Sequence, residues 1–495
     1  MAAKGRASFR RITAKTRNDR KITVSTLPSS GERLRRDSLG LSQIIASTLA
    51  NIAPAMSFFF GFGLIASGAG VGAPLTILVA MVVILFLTNT LAQFSKYRPS
   101  AGSFVTFIGM SFGPWAGAAA SIFVVVGYCI AASSVVVISG GWAAQTLQVF
   151  LGVNIPWQVL SIIATAIVGL LVSRGISLST TWAAIFFYFE LVLLLIGAVI
   201  MLVVNRHSIS AAPFLISSVT GGWKGIGLGF PLAIYLFIGW ENSAMLAEET
   251  TNPRRNVPRA LITGTVSIGI LYMFLAFATE TAFHNDAKSL IASSLPYVDA
   301  FKASAAGLLI VAYIAGVTSI FSSLIGLTNA QARILFSSAR EGLLPPFFGK
   351  IHPQHRTPHT AMWTYIVVAL LIVLVFGTVD KIDPVTLFGD TGTLGTIPVI
   401  VTYLLTNLAL PVYMLRYHRE DFNIFTHLIV PVVGTVAMGF PLWGLVEPGQ
   451  PYPFNLYPAL SLGLLVIAVV YGIILAKSKP DLVQRIGSYV ADEEY

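Results

Sequence analysis

The sequence is short of charge and of cysteine. Aspartate, glutamate, lysine and arginine make up 11% of its 495 residues, against roughly 25% in soluble globular domains, and that shortage excludes an ordinary water-soluble fold. Cys129 is the only cysteine, which excludes an internal disulfide and any metal site built on clustered thiolates. No H-E-x-x-H, G-x-S-x-G or paired-carboxylate arrangement accompanies the apolar segments, so the sequence carries no signal of an intramembrane hydrolase and no enzyme is expected. The short apolar run that opens a cleaved signal peptide is also missing from the first residues.

Apolar residues fill the space instead, at 55% of the chain. They gather in stretches such as Leu75 to Leu87, Ala183 to Val204 and Met362 to Phe376, which approach or exceed the roughly 20 apolar residues that cross a bilayer. Ending each stretch at charges, Pro or Gly predicts twelve spans: 41–67, 74–95, 112–147, 157–173, 182–204, 225–247, 259–283, 303–333, 360–377, 385–414, 425–446 and 457–476. The expected fold class is an all-α polytopic membrane protein.

The formal net charge is +10, and most of it sits in the first 38 residues, where eleven Lys or Arg face three acids. That tail, residues 1–38, is polar and buries too little apolar surface to fold alone; it reads as a disordered basic segment attracted to anionic lipid. Without aromatic interleaving or a binding motif it does not read as a nucleic-acid interface. Twelve crossings place both termini on one side. On the side of the tail lie 26 Lys or Arg and on the other five, so the positive-inside rule places both termini, including the 477–495 tail, in the cytoplasm of a cell-membrane protein.

Two spans carry residues that would interrupt a helix in mid-membrane. In the first, Asn51-Ile52-Ala53-Pro54-Ala55-Met56-Ser57 contains a proline, which removes a backbone donor and clashes with the preceding turn. In the sixth, Tyr235-Leu236-Phe237-Ile238-Gly239-Trp240-Glu241 combines a glycine with a carboxylate. The first and sixth spans are equivalent if five helices are followed by five in inverted topology. Paired breaks of that kind let freed N–H groups meet an anion and freed carbonyls meet a cation at one midplane site. A zwitterionic amino acid presents both charges on adjacent atoms, so the expected partners are a small amino acid or amine and the bilayer itself.

Three further motifs accompany the breaks. They are Glu248-Glu249-Thr250-Thr251-Asn252-Pro253-Arg254-Arg255-Asn256-Val257-Pro258-Arg259-Ala260, Pro99-Ser100-Ala101-Gly102-Ser103 followed by Phe112-Gly113-Pro114, and Arg340-Glu341-Gly342-Leu343-Leu344-Pro345. With them the chain, over roughly residues 38–476, resembles the amino acid, polyamine and organocation family of secondary transporters. The resemblance implies a five-plus-five inverted repeat of the LeuT-like kind and alternating access. Repeat one would span residues 39–205 and repeat two 223–415, with two additional helices in 416–476. It also implies that Ala53, Pro54, Ala55, Met56 and Ser57 receive a carboxylate, and that Phe237, Ile238 and Gly239 offer carbonyls to an amino group. Tyr235 falls where the family has an aromatic lid, and Trp240 and Tyr128 are further cavity candidates. The Pro54-Ala55-Met56 run lacks the family's Gly-x-Gly turn and is similar to the polyamine and amine branches, so an amine without a carboxylate stays open as substrate.

Intramembrane carboxylates cost on the order of 2.5 to 3.5 kcal/mol on insertion scales and call for a reason. Glu241 reads either as an acceptor for freed amides or as a proton sensor. Glu190 in the fifth span is a candidate proton carrier, and no lysine, which proton-coupled relatives often carry there, is found in that span. Thr318, Ser319, Ser322 and Ser323 could bind sodium together with first-helix carbonyls, or serve as close-packing residues. Protons and sodium thus both stand as coupling candidates, with no other cofactor expected. Glu280 and Asp390 are expected near the outer surface, and Arg333 is expected to snorkel to the cytoplasmic face. His352, His355 and His359 flank Pro353 and Pro358 with no thiolate or carboxylate at ligand spacing, so a solvated loop and no metal is expected. A channel or a non-transporting sensor are the rival classes, and the oligomeric state is open.

Overall fold

A computed structural model of the chain describes residues 34–489 and 491. The expectation of disorder for the tail therefore falls, in its first 33 residues, outside the described residues. Among the described residues the secondary structure is helical, with no strand and one isolated bridge pairing Leu39 with Thr250.

The first expected span is two helices, α1 (Leu41–Ile52) and α2 (Pro54–Ala69). They are followed by α3 (Ala73–Tyr97), α4 (Ser103–Phe112), α5 (Pro114–Leu151), α6 (Trp157–Ser173) and α7 (Ile176–Val204). The sixth expected span is α8 (Trp223–Tyr235) and the short α9 (Asn242–Met245), joined by an irregular segment. The remainder is α10 (Pro253–Ala282), α11 (Ala287–Ala292), α12 (Pro296–Ala305), α13 (Leu309–Arg340), α14 (His359–Leu374), α15 (Pro384–Tyr417), α16 (Val430–Val446), α17 (Tyr457–Ser478) and α18 (Leu482–Arg485).

Nine helical stretches among the described residues are long and apolar enough to cross a membrane. The figure differs from the twelve expected segments for three local reasons. Leu41–Tyr97 runs as one stretch across two of those segments, α6 has only 17 residues, and the sixth segment is interrupted after Tyr235.

Solvent on the flanks of the bundle must be apolar. Val436 and Phe440 on α16, and Leu462 and Ile467 on α17, are each more than half exposed, a pattern that water would penalise and lipid does not. The interior is made by α5 against α15, α3 against α10 and α7 against α13.

The face that carries both described chain ends is closed by polar contacts. Arg333 on α13 grips Glu249, on the segment after α9, through Nε at 2.5 Å and Nη2 at 3.0 Å, and both side chains are fully buried. Arg333 thus does not snorkel: its guanidinium fork finds a carboxylate inside the protein, with a further bond to the Asn329 carbonyl. Arg340 pairs with Glu248 at 2.5 Å. The Ser38 and Leu39 amides donate to the Glu249 carbonyl, and the Thr251 amide returns a bond to Leu39. Behind Arg340, the end of the chain folds back. The Gly487 amide donates to Glu341 Oε1 at 3.2 Å, Arg98 Nε donates to the Gly487 carbonyl at 2.8 Å, and the Ala491 amide reaches Pro99. Glu280, expected near water, is instead fully buried, and neither carboxylate oxygen has a partner among the described residues.

Candidate functional site

The break in the first span is one residue long. Ala53 takes a left-handed conformation (φ 54°) and Pro54 then occupies the first turn of α2, where its missing N–H costs nothing and its fixed φ suits a helix start. Three neighbouring peptide groups are satisfied locally: Ser57 N–H by the Ala53 carbonyl, the Ile52 carbonyl by Ser57 Oγ at 2.6 Å, and Met56 N–H by Ser319 Oγ at 3.0 Å. Ala55 N–H is left without a hydrogen bond among the described residues.

The break in the sixth span is longer and is held by turns. Phe237, Ile238 and Trp240 amides donate to the carbonyls of Ile234, Tyr235 and Phe237, and the Asn242 amide donates to Gly239. Gly239 has φ 107°, which L side chains avoid, and a Cβ there would stand 2.9 Å from Asn51 Nδ2 and 3.2 Å from the Ile52 nitrogen. Glycine is what lets the two broken helices meet backbone to backbone. Glu241 accepts from Gly239 N–H at 3.1 Å and from the Tyr128 hydroxyl at 2.7 Å, so its fully buried carboxylate ties the turn to α5.

A cavity of about 50 Å³ lies at this junction, enough for several waters at roughly 10 to 15 Å³ each. Of the expected site residues it brings together Met56, Ser57, Tyr235, Ile238, Gly239 and Ser323. Ala53, Pro54 and Ala55 form the break beside it without bordering it, and Phe237, Trp240 and Tyr128 also stand off it. Phe237 packs edge-on against Tyr272, Trp240 packs edge-on against Tyr403, and Tyr128 turns its hydroxyl to Glu241. A larger chamber of about 440 Å³ sits against the C-terminal half of α2, the end of α8 and the start of α15, and Tyr235 and Thr396 border both spaces. Tyr235 is therefore placed as a partition, with Phe388 edge-on to its ring at 6.4 Å.

The candidate coupling residues divide. Ser323 Oγ donates to the Asn51 carbonyl at 3.0 Å, stitching α13 to the end of α1, whereas Ser322 Oγ donates to the Ser319 carbonyl of its own helix at 2.8 Å and lies 3.3 Å from the Ala50 carbonyl. Thr318 bonds only within its own helix. Glu190 on α7 is fully buried beside Ser319, behind the first break, with both oxygens unpartnered among the described residues.

Sequence reasoning missed four groups bordering the cavity: Asn51, Gln331, Ser134 and Thr396. Asn51 lay inside a quoted motif and was legible as a polar group at the break. The other three stand on three different helices, and nothing local marks which face of an apolar helix looks inward.

The amino acid permease family matches residues 39–476. The branched-chain amino acid permease BcaP of Bacillus subtilis (strain 168) is 25% identical over 461 residues, covering 88% of this chain and 94% of that protein. The methylthioribose transporter of the same organism is 25% identical over 403 residues, covering 76% and 81%. The low-affinity putrescine importer PlaP of Escherichia coli (strain K12) is 23% identical over 464 residues, covering 91% and 97%. A match over residues 39–476, together with two helices that break around an internal cavity, places the chain in the amino acid permease family of membrane transporters.

Proposed function

We propose that the protein carries a zwitterionic amino acid with an uncharged side chain across the cell membrane by alternating access. The single observation that carries this reading is the cavity at the two breaks, with the open Ala55 N–H at the start of α2 beside it and the Ile238 carbonyl, which accepts no bond among the described residues, on its wall. A carboxylate sits at the former, where the helix dipole is positive, and an ammonium at the latter. No Asp, Glu, Lys, Arg or His borders the cavity. A diamine would strand its second ammonium there without a counter-charge, at a cost of several kcal/mol. That weighs against the amine reading despite the likeness to a putrescine importer.

The same reading has twelve crossings in two inverted five-helix repeats, residues 39–205 and 223–415, plus two helices in 416–476, and both termini in the cytoplasm. The ion pairs of Arg333 and Arg340 then seal the cytoplasmic face, and the 440 Å³ chamber is the outer vestibule. Coupling runs through protons, with Glu190 as carrier, a fully buried carboxyl whose two oxygens have no partner among the described residues. Radiolabelled uptake into proteoliposomes tests it. Neutral amino acids are expected to accumulate with an imposed inward proton gradient and without sodium, and Glu190→Gln is expected to retain counterflow while losing gradient-driven accumulation. Uptake confined to putrescine, or dependent on sodium, contradicts the reading.

A further inference from the structure

The end of α1 keeps little backbone for a ligand. The Ala50 carbonyl accepts from the Ala53 amide at 3.2 Å, the Asn51 carbonyl from Ser323 Oγ at 3.0 Å and the Ile52 carbonyl from Ser57 Oγ at 2.6 Å. The other hydroxyls of Ser and Thr on the cavity wall are committed as well, Ser134 donating to Ala131 at 2.6 Å and Thr396 to Gly392 at 2.7 Å. A hydroxyl has one proton, so these four groups can only accept from an occupant.

Three side chains on the wall keep a donor open among the described residues: Gln331, Tyr235 and Asn51. Gln331, whose oxygen takes the Tyr365 proton, lies about two turns beyond Ser323 along α13. The Tyr235 hydroxyl stands at the partition, against Gly392, where a Cβ would come within 2.7 Å of it. Asn51 alone lies at the junction of the two breaks. Gly239 leaves room for its Nδ2 and Gly326 on α13 for its Cα and Cβ, since a Cβ on either glycine would stand 2.9 Å away. Its carboxamide makes no hydrogen bond among the described residues, and neither polar atom is sealed in protein, as both of those of Asn407 are. Asn51 thus turns one donor and one acceptor, side by side, toward the cavity. Exchanging its oxygen and nitrogen leaves that pair of functions intact.

We propose that Asn51 reads the charged head of the transported solute, its Nδ2 donating to the carboxylate and its Oδ1 accepting from the ammonium, and so selects a zwitterion over a bare amine. The inference rests on the amino acid reading above and names the side chain behind it. An amine without a carboxylate covers Nδ2 and leaves that donor unpaired. No charged side chain borders the cavity, so a single aspartate at this position makes a neutral wall anionic.

Alanine, valine and threonine are the probes, each beside the amine that lacks its carboxylate: ethylamine, isobutylamine and 1-amino-2-propanol. Titration calorimetry on the purified protein reads their binding without the leak of free amines across a bilayer. The wild type is expected to bind at least one of the amino acids about tenfold more tightly than its amine, the size of one hydrogen bond to a charged group. Asn51→Asp keeps the acceptor, replaces the donor by a negative charge, and is expected to reverse the order, weakening the amino acid and tightening the amine. Asn51→Ala is expected to weaken the amino acid more than the amine, which keeps the test alive should the aspartate variant fail to assemble. An unchanged amino-acid-to-amine ratio in these variants, the outcome of a merely structural asparagine, overturns the role of Asn51. A wild-type protein that binds none of the three amino acids overturns the underlying amino acid reading, and the inference with it.

Discussion

Gly239 is the residue on which the junction of the two broken helices turns. Any side chain there must hold φ 107° and push against Asn51 Nδ2 and the Ile52 nitrogen, and backbone strain of that kind costs of order 1 to 3 kcal/mol. Gly239→Val is expected to assemble with a lowered melting temperature and to lose the stabilisation that a bound amino acid confers on the wild type, both read in one thermal-shift experiment. Pro54 and Gly239 were legible in the sequence as breaks because they alter the backbone itself, and a backbone effect needs no knowledge of neighbours. Tyr128 and Trp240 were read as cavity residues and instead pack behind it. Their side chains answer to α15 and to Glu241, partners more than a hundred residues away for Tyr128, which no local pattern encodes.

At the scale of elements, the motifs that carried the family resemblance turn out to be fasteners. Asn252 adopts φ 45° to start α10 at Pro253, and Glu248 and Glu249 just before it hold the two arginines of α13. Removing one partner of a buried pair leaves an uncompensated charge, at about 3 to 5 kcal/mol. Glu249→Gln is expected to lower the melting temperature more than Glu248→Gln, whose pair is partly exposed, and the double change Arg333→Met with Glu249→Leu is expected to recover part of the loss. Equal, small shifts for all would contradict a buried fastener. The helices themselves were legible from apolar length. The pairing of Arg333 was not, because the snorkelling rule treats a cation near a helix end as alone, and its carboxylate sits 84 positions earlier.

For the whole molecule, the chain's end packs on the same face as its ion pairs. Glu341 lies outside the spanning helices, fully buried under Gly487, accepting bonds from Thr106 and the Gly487 amide while its other oxygen has no partner among the described residues. Burial pushes its carboxyl from 4.5 up to about 7. Between those values the docked form holds a proton that the undocked, hydrated carboxyl has released, so docking is fully stabilised at low pH, weakens as pH rises from 4.5 through about 7, and levels above it. The bonds from Thr106 and Gly487 and the charge of Arg340 favour the ionised form and Glu248 opposes it, but burial prevails. The protection factor of the Gly487 amide, its slowing relative to the intrinsic base-catalysed exchange rate at the same pH, is expected to be lower at pH 8 than at pH 6 in the wild type, and equal at both in Glu341→Gln.

The transported solute is expected to occupy the space between Met56 and Ile238. Single cysteines at either position, in a Cys129→Ala background, place a thiol on the cavity wall, with Leu64→Cys in the larger chamber as control. The measurement is the rate of labelling by a small methanethiosulfonate reagent with and without a saturating transported amino acid. Protection at Met56→Cys and Ile238→Cys, greater than at Leu64→Cys, is the expected result. Labelling at both cavity positions that is indifferent to substrate, in variants that still transport, would place the solute somewhere other than between the two broken helices.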